Sequence, residues 1–186
     1  MKRKVHLEQG SSATRAGLVA AAIRVIRRMG TRKLTLEATA REAGVSKGGL
    51  LYHFPTKEAL VGALIASGFD AFDQAIQQRR KQGLDWLQAY ADASLSPGEL
   101  DDMGAALLGA LVENPALLEP AQNYYRQWYA QARTCGGVGG VLALLVLDGL
   151  FIHQTLGLER VISHDELTIG LKSLVGRSAG GASCCA

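Results

Sequence analysis

Lys47, Gly48, Gly49, Tyr52, His53 and Lys57 lie close together in one short stretch of the chain. They are two cations, two bare glycines and a Tyr-His pair. They suit contact with a polyanion: lysine reaches a phosphate or a guanine edge, and glycine lets the backbone approach closely. The usual catalytic signatures do not occur. Gly136 to Gly140 is not followed by Lys-Ser/Thr, so it is no phosphate-binding loop, and there is no H-E-x-x-H or G-x-S-x-G. The four histidines are scattered, and Cys135, Cys184 and Cys185 have neither metal-ligand nor disulfide-framework spacing. The sequence therefore points away from an enzyme and implies no metal and no cofactor.

The charge distribution points the same way. The chain has 186 residues and a net charge of +3. Residues 1–60 hold 12 basic and four acidic residues, a net of +8; the remainder holds 8 basic and 13 acidic residues, a net of −5. A basic first third joined to an acidic body suggests a polyanion-binding module on a different kind of scaffold. Hydrophobic residues make up 48% and charged residues 20%, a globular composition. Met1-Lys2-Arg3-Lys4 is followed by no apolar leader segment, and the apolar run Val138 to Ile152 is short for a membrane span and contains Asp148. A cytoplasmic protein without a membrane partner is expected.

Apolar spacing and punctuation define the elements. Residues 1–11 read as a flexible basic arm. Leu18, Val19, Ala22, Ile23, Ile26 and Met29 recur at helical spacing up to a stop at Gly30. Thr35 caps a short helix, Leu36 to Ala43, with Glu37 in its first turn and Gly44 at its end. Ser46 caps another, with Val45 and Leu50 at the spacing of a hydrophobic staple, and Pro55 ends it. Thr56 starts a long helix to about Gln82. Helices follow over Leu84–Leu95, Glu99–Val112, Ala116–Ala132, Val141–Leu156 and His164–Leu174, with a flexible glycine turn at 136–140. The fold class is all-α.

Three helices within 55 residues, the second and third joined at Ala43-Gly44-Val45, have helix-turn-helix geometry. In that arrangement the second helix of the pair enters the major groove. Here it is Ser46 to His53. Leu50 and Phe54 share its inner face, while Lys47, Gly48, Gly49, Tyr52 and His53 face outward. Two glycines cost a helix about 1 kcal/mol each relative to alanine, a cost that clearance for DNA explains.

The pattern Arg15…Leu18-Val19…Ala22, Gly30, Thr35-Leu36…Ala40, Ala43 to Gly48, Leu50, Tyr52 to Pro55 and Lys57 to Leu60 resembles the DNA-binding domain of the tetracycline-repressor (TetR) family. The resemblance covers about a quarter of the chain. It implies a helix-turn-helix domain at 12–58, a ligand-binding and dimerisation domain at 59–176 and a disordered tail at 177–186. It further implies a homodimer on a palindromic operator in double-stranded DNA, and repression relieved when a small-molecule effector moves the long helix. An activator, or a regulator without a ligand, fits the same resemblance. Beyond the family, a helical protein binding RNA or membrane through its basic arm is the competing class; salt-dependent, sequence-selective duplex binding separates the two. The DNA surface would be Lys47, Gly48, Gly49, Tyr52, His53 and Lys57, with Ser46 and support from Arg15, Lys33 and Thr35. Two positions depart from the family pattern. Thr39 replaces a branched apolar residue, so its hydroxyl must find a backbone carbonyl or solvent. Leu51 stands where many members have an aromatic on the DNA backbone, a contact left to Tyr52 and His53.

The second domain is less explicit. Trp86, Tyr90, Met103, Leu107, Tyr124, Tyr125 and Trp128 are candidates to line a pocket for a largely apolar effector, since aromatics with polar tips suit such sites. Leu142, Leu145, Leu150, Leu167, Leu171 and Leu174 are candidates for a four-helix dimer interface.

Overall fold

The computed structural model describes residues 2–96, 117–159 and 162–176. Among them the chain forms seven helices, one 3-10 turn and no strand. In chain order these are α1 (Lys2–Met29), the 3-10 turn (Thr31–Lys33), α2 (Leu36–Ala43), α3 (Lys47–His53) and α4 (Lys57–Lys81). Then come α5 (Trp86–Leu95), α6 (Leu118–Thr155) and α7 (His164–Gly176). The expected helix Glu99–Val112, the tail 177–186 and the candidates Met103 and Leu107 lie outside the described residues.

Contacts divide the chain into two units, Met1–Gly68 with Ala106–Leu118 and Phe69–Ala105 with Glu119–Ala186. The division falls inside α4, ten residues beyond the boundary at 58 expected from the sequence. The reason lies in α4 itself. Leu60, Val61, Leu64 and Ile65 are buried and belong to the first unit's core, so the first turns of α4 complete that unit before the helix passes to the second.

In the first unit, α1 contributes Leu18, Ala21, Ala22, Val25 and Ile26 to the core, and α2, α3 and α4 add Ala40, Leu50 and Leu60. Gly44 ends α2 in the left-handed conformation at φ 68 and ψ 27, and Gly30 ends α1 at φ 79 and ψ 165; glycine adopts both without strain. Thr35 Oγ1 accepts from Ala38 N at 3.0 Å and Ser46 Oγ from Gly49 N at 3.0 Å, so both expected caps form. Thr56 Oγ1 likewise accepts from Ala59 N at 3.1 Å. Thr39 is fully buried, and its hydroxyl donates to the Thr35 carbonyl at 2.9 Å, which answers the question its type raises. At the other end α1 begins at Lys2, so residues 2–11, expected as a flexible basic arm, are described as helix. Lys, Arg, Glu, Gln and Leu are good helix formers, no proline interrupts them, and the weak Gly10-Ser11-Ser12 step does not stop the helix.

A charged fork holds α1 on α2. Arg24 Nε donates to Glu42 Oε1 at 2.9 Å and Arg28 Nη2 to Glu42 Oε2 at 2.6 Å. The Arg24 hydrogen bond, then that of Arg28, and the two positive charges hold the Glu42 carboxyl below its ordinary 4.5.

In the second unit the core is Ile76, Trp86, Leu87, Ala89, Tyr90, Trp128, Ala132, Leu144, Leu147, Leu167 and Leu171, with neighbours of similar burial. Asp85 and Gln88 close α5 with a full capping box, and Ser163 with Glu166 does the same for α7. Arg79 Nε donates to Asp92 Oδ2 at 2.5 Å and Arg79 Nη2 to Ser96 Oγ at 2.8 Å, which ties the end of α4 to α5. The glycine turn expected at 136–140 is reduced to one residue. Gly137, at φ 57 and ψ −141, takes the whole change of direction inside α6. Gly140 serves a different need: a Cβ there would run into the Ala132 carbonyl oxygen, so the two arms of α6 pass at backbone contact. Helices Lys57–Lys81 and Ala121–Thr155 are long and apolar enough to cross a membrane by length and composition. The second is divided by the Gly137 kink, and both give buried residues to a protein core, as core helices of globular proteins do.

Glu42 joins two arginines, so Glu42→Gln should lower the melting temperature at neutral pH. The depressed carboxyl stabilises the fold above its unfolded pKa, and that contribution is lost as pH falls through the folded value, below 4.5. Melting curves of the two proteins should therefore differ at pH 7 and converge in acid; a constant gap would show that the charge on Glu42 is irrelevant.

Candidate nucleic-acid interface and aromatic cluster

Helix α3 has only seven residues, too few to persist alone. It is held by its inner face, where Leu50 is 0% and Phe54 1% exposed. Arg15 reaches it from α1, with its guanidinium 4.8 Å from the centre of the Phe54 ring. A cation over a ring face is attractive, so the structure gives Arg15 a clamping role on the end of α3.

The outer face is Lys47, Gly48, Gly49, Tyr52 and, partly, His53. The first three are exposed, and Tyr52 is 81% exposed. The Tyr52 and His53 rings meet edge to face at 5.1 Å, so they stand as one projecting pair, while Leu51 is half-buried. Lys57 is exposed at the start of α4, Lys33 is exposed at the end of the 3-10 turn, and Thr35 and Ser46 are exposed at their caps. The structure thus brings together on the first unit most of what the sequence singles out. The feature that the sequence reading misses is Glu37: its carboxylate forms an ion pair with Lys47 Nζ, which pulls the Glu37 carboxyl below its ordinary value. A Glu ten residues before a Lys is no helical-spacing signal, so only the turn between α2 and α3 reveals the pair.

The two glycines separate on close inspection. A Cβ at Gly48 would meet only Ser46 Oγ, at an ordinary 3.9 Å. At Gly49 the same atom lies 3.3 Å away, tight against the oxygen that caps the helix. The free fold therefore has room for a side chain at Gly48 and less at Gly49, so only Gly49 has an evident structural cause.

The second unit holds a continuous aromatic cluster. Phe69 stacks on Tyr124 at 5.5 Å and 11°, and Trp128 meets Phe69, Phe72, Tyr90, Tyr124 and Tyr125 at 5.2 to 5.7 Å. Trp86, Tyr90 and Trp128 are buried, whereas Tyr124 and Tyr125 are half-buried. The expected aromatic candidates are thus brought together. Phe69, Phe72 and Tyr129 join them, and the repeat Phe69-Asp70-x-Phe72-Asp73 on one helix was the available signal. Five of their polar tips find carboxylates. Tyr124 donates to Asp70, Trp128 Nε1 to Asp73 at 3.2 Å, and Tyr90, Tyr125 and Tyr129 to Asp148 at 3.2, 3.3 and 3.4 Å. The Asp70 hydrogen bond, with burial, pushes the Tyr124 hydroxyl up to about 12; burial first, then the Asp148 charge, raises those of Tyr90 and Tyr125 as well. All three phenols remain neutral donors.

A separate cavity of about 490 Å³ lies on the other side of α5, lined by residues that include Leu84, Leu87, Ala91, Leu95, Leu144 and Leu171. It shares no residue with the expected pocket.

The expected interface residues divide by burial. Leu142 and Leu145 are 43% and 50% exposed, but Leu167 and Leu171 are 6% and 8% exposed and belong to the subunit's own core. The latter two are not available to a partner. Their spacing marks the inward face of α7, and Ile169, 68% exposed, lies on its outward face.

Comparisons with known proteins agree with this architecture. Residues 18–64 match the family described as "Bacterial regulatory proteins, tetR family", and residues 84–174 match "Tetracyclin repressor-like, C-terminal domain". Among curated proteins none matches the chain. Among solved structures, the multidrug binding protein EbrR complexed with imidazole is similar at 22% identity and a TM-score of 0.70, over 91% of this chain and 97% of that one. EbrR complexed with malachite green gives 22% and 0.65 over 87% and 97%. A TetR-family transcriptional regulator from Rhodococcus sp. gives 20% and 0.66 over 89% and 96%. The two family matches account for most of the chain between them and fall on the helix-turn-helix and on the aromatic unit: the chain belongs to the TetR family of bacterial transcriptional regulators.

Proposed function

We propose that this regulator is a homodimeric repressor that binds a palindromic operator through α3 and leaves it when a small ligand occupies the second unit. The observation that carries the DNA reading is the outer face of α3: two exposed glycines between Lys47 and the Tyr52-His53 pair, with Lys57 close by in the chain. Lys47 and Lys57 supply phosphate or guanine contacts, and Gly48 lets the backbone approach. Lys33, Thr35 and Ser46 support the same surface; each capping hydroxyl still has a proton to donate to a phosphate oxygen. To reach DNA, Lys47 exchanges Glu37 for a phosphate, which moderates affinity and favours release. A DNA partner implies a location in the bacterial cytoplasm.

Dimerisation is supported by the exposed apolar side chains of α6 and α7, including Val138, Leu142, Leu145, Val146, Ile152 and Ile169. Two copies presenting this face bury it against each other in a twofold arrangement, and two recognition helices then read two half-sites. The ligand reading is supported by the aromatic cluster and by the shared fold with EbrR, a multidrug binding protein. A ligand that binds the DNA-free arrangement more tightly than the DNA-bound one lowers operator affinity by the ratio of the two affinities.

Two substitutions test the surface. Gly48→Ala should leave the melting temperature unchanged or raise it, since alanine is the better helix former by about 1 kcal/mol, and should weaken binding to the DNA upstream of the protein's own gene. A loss of stability instead would make Gly48 a purely structural residue. Lys57→Ala should weaken binding to all sequences alike and reduce the slope of log affinity against log salt by about one. Unchanged affinity and slope in a salt titration by gel shift would remove Lys57 from the interface.

A further inference from the structure

The aromatic cluster holds a carboxylate in an unusual setting. Asp148 is half-buried on α6, and three phenol hydroxyls, those of Tyr90, Tyr125 and Tyr129, converge on it. A phenol that satisfies an ionised carboxylate sits at about 2.5–2.7 Å. Here the three distances are 3.2, 3.3 and 3.4 Å. The hydroxyls surround the carboxylate and none grips it. A neutral donor also cannot cancel a charge, and among the described residues no Lys, Arg or His pairs with Asp148, Asp70 or Asp73. Among the described residues a negative charge is thus left uncompensated beside aromatic faces, in the two thirds of the chain whose net charge is −5.

We infer that the effector is a lipophilic aromatic cation, bound with its positive charge toward Asp148 and its rings against the tyrosines and Trp128. The inference rests on the reading of the second unit as the ligand-binding unit and adds the ligand's charge. Three features favour a cation over a neutral hydrocarbon of the same shape. Ring faces of Tyr and Trp carry negative electrostatic potential and attract cations, more so when desolvated. The Asp148 charge acts through partly buried surroundings, where attraction exceeds that in water. The carboxylate is also held above its ordinary 3.8, by burial first, against the lowering effect of the tyrosines; a bound cation relieves that cost. An anion meets the opposite at each point. Phe69, Tyr124, Tyr125 and Tyr129 are only half-buried, so the cluster keeps an accessible flank for the ligand.

The test uses two probes of nearly equal size and shape and opposite charge, tetraphenylphosphonium and tetraphenylborate, titrated calorimetrically into the full-length protein without DNA. The cation should bind at least about tenfold more tightly than the anion, or about 1.4 kcal/mol. Asp148→Asn should abolish that preference, and Asp148→Glu should retain most of it. Equal affinities, a preference for the anion, no binding of either probe, or a preference unchanged in a folded Asp148→Asn protein would overturn the inference. Should Asp148→Asn fail to fold, the comparison of the two probes on the unaltered protein and on Asp148→Glu decides alone. A protein that binds DNA but not the cation loses this inference and keeps the regulator reading; one that binds the cation but no DNA loses the regulator reading alone.

Discussion

The arrangement depends first on the burial of Leu50 and Phe54. A seven-residue helix with two glycines has no stability of its own. It exists because its inner face is sealed into the core made by α1, α2 and the start of α4, with Arg15 over the Phe54 ring and Ser46 closing its first turn. That anchoring leaves Gly48 and Tyr52, on the outer face, without a structural duty. Gly48 and Tyr52 can then be chosen for what they meet outside the protein.

The two units solve different electrostatic problems. In the first, positive charge is arranged on a surface, and part of it is held in check: Glu42 engages Arg24 and Arg28, and Glu37 engages Lys47. These are exposed or half-exposed pairs whose strength depends on salt. In the second, the carboxylates of Asp70, Asp73 and Asp148 lie among rings and are contacted only by neutral donors among the described residues. The charge asymmetry along the chain follows the same division, with net positive charge in residues 1–60 and net negative charge in the remainder. Helix α4 carries both the aromatic turn Phe69–Asp73 and Lys57, one path along the chain. In the proposed mechanism the ligand acts along this path.

The sequence made the first unit legible because its signals are local. Thr35, Gly44, Ser46 and Thr56 act within one turn, and each does in the structure what its type and position imply. The second unit was legible only as a list of aromatics. Asp148 lies 58 positions from Tyr90 and 19 from Tyr129, so no spacing rule connects them; the packing of α5 against the two arms of α6 does. Leu167 and Leu171 mislead for a related reason: apolar periodicity marks a buried face of a helix but does not say which chain buries it. The glycines at 136–140 suggested a loose turn, whereas one kink at Gly137 and one close approach at Gly140 account for two of them. The loose arm at 1–11 likewise gave way to helix because good helix formers outweigh a Gly-Ser-Ser step.

The central claim is that α3 reads DNA as one of two symmetry-related recognition helices. Hydroxyl-radical footprinting on the DNA upstream of the protein's own gene tests it most directly. The account predicts two protected patches on one face of the duplex, about 10 base pairs apart or a small multiple of that, over an inverted repeat and weakened by added salt. Uniform, sequence-independent protection, or a single patch without an inverted repeat, would contradict it.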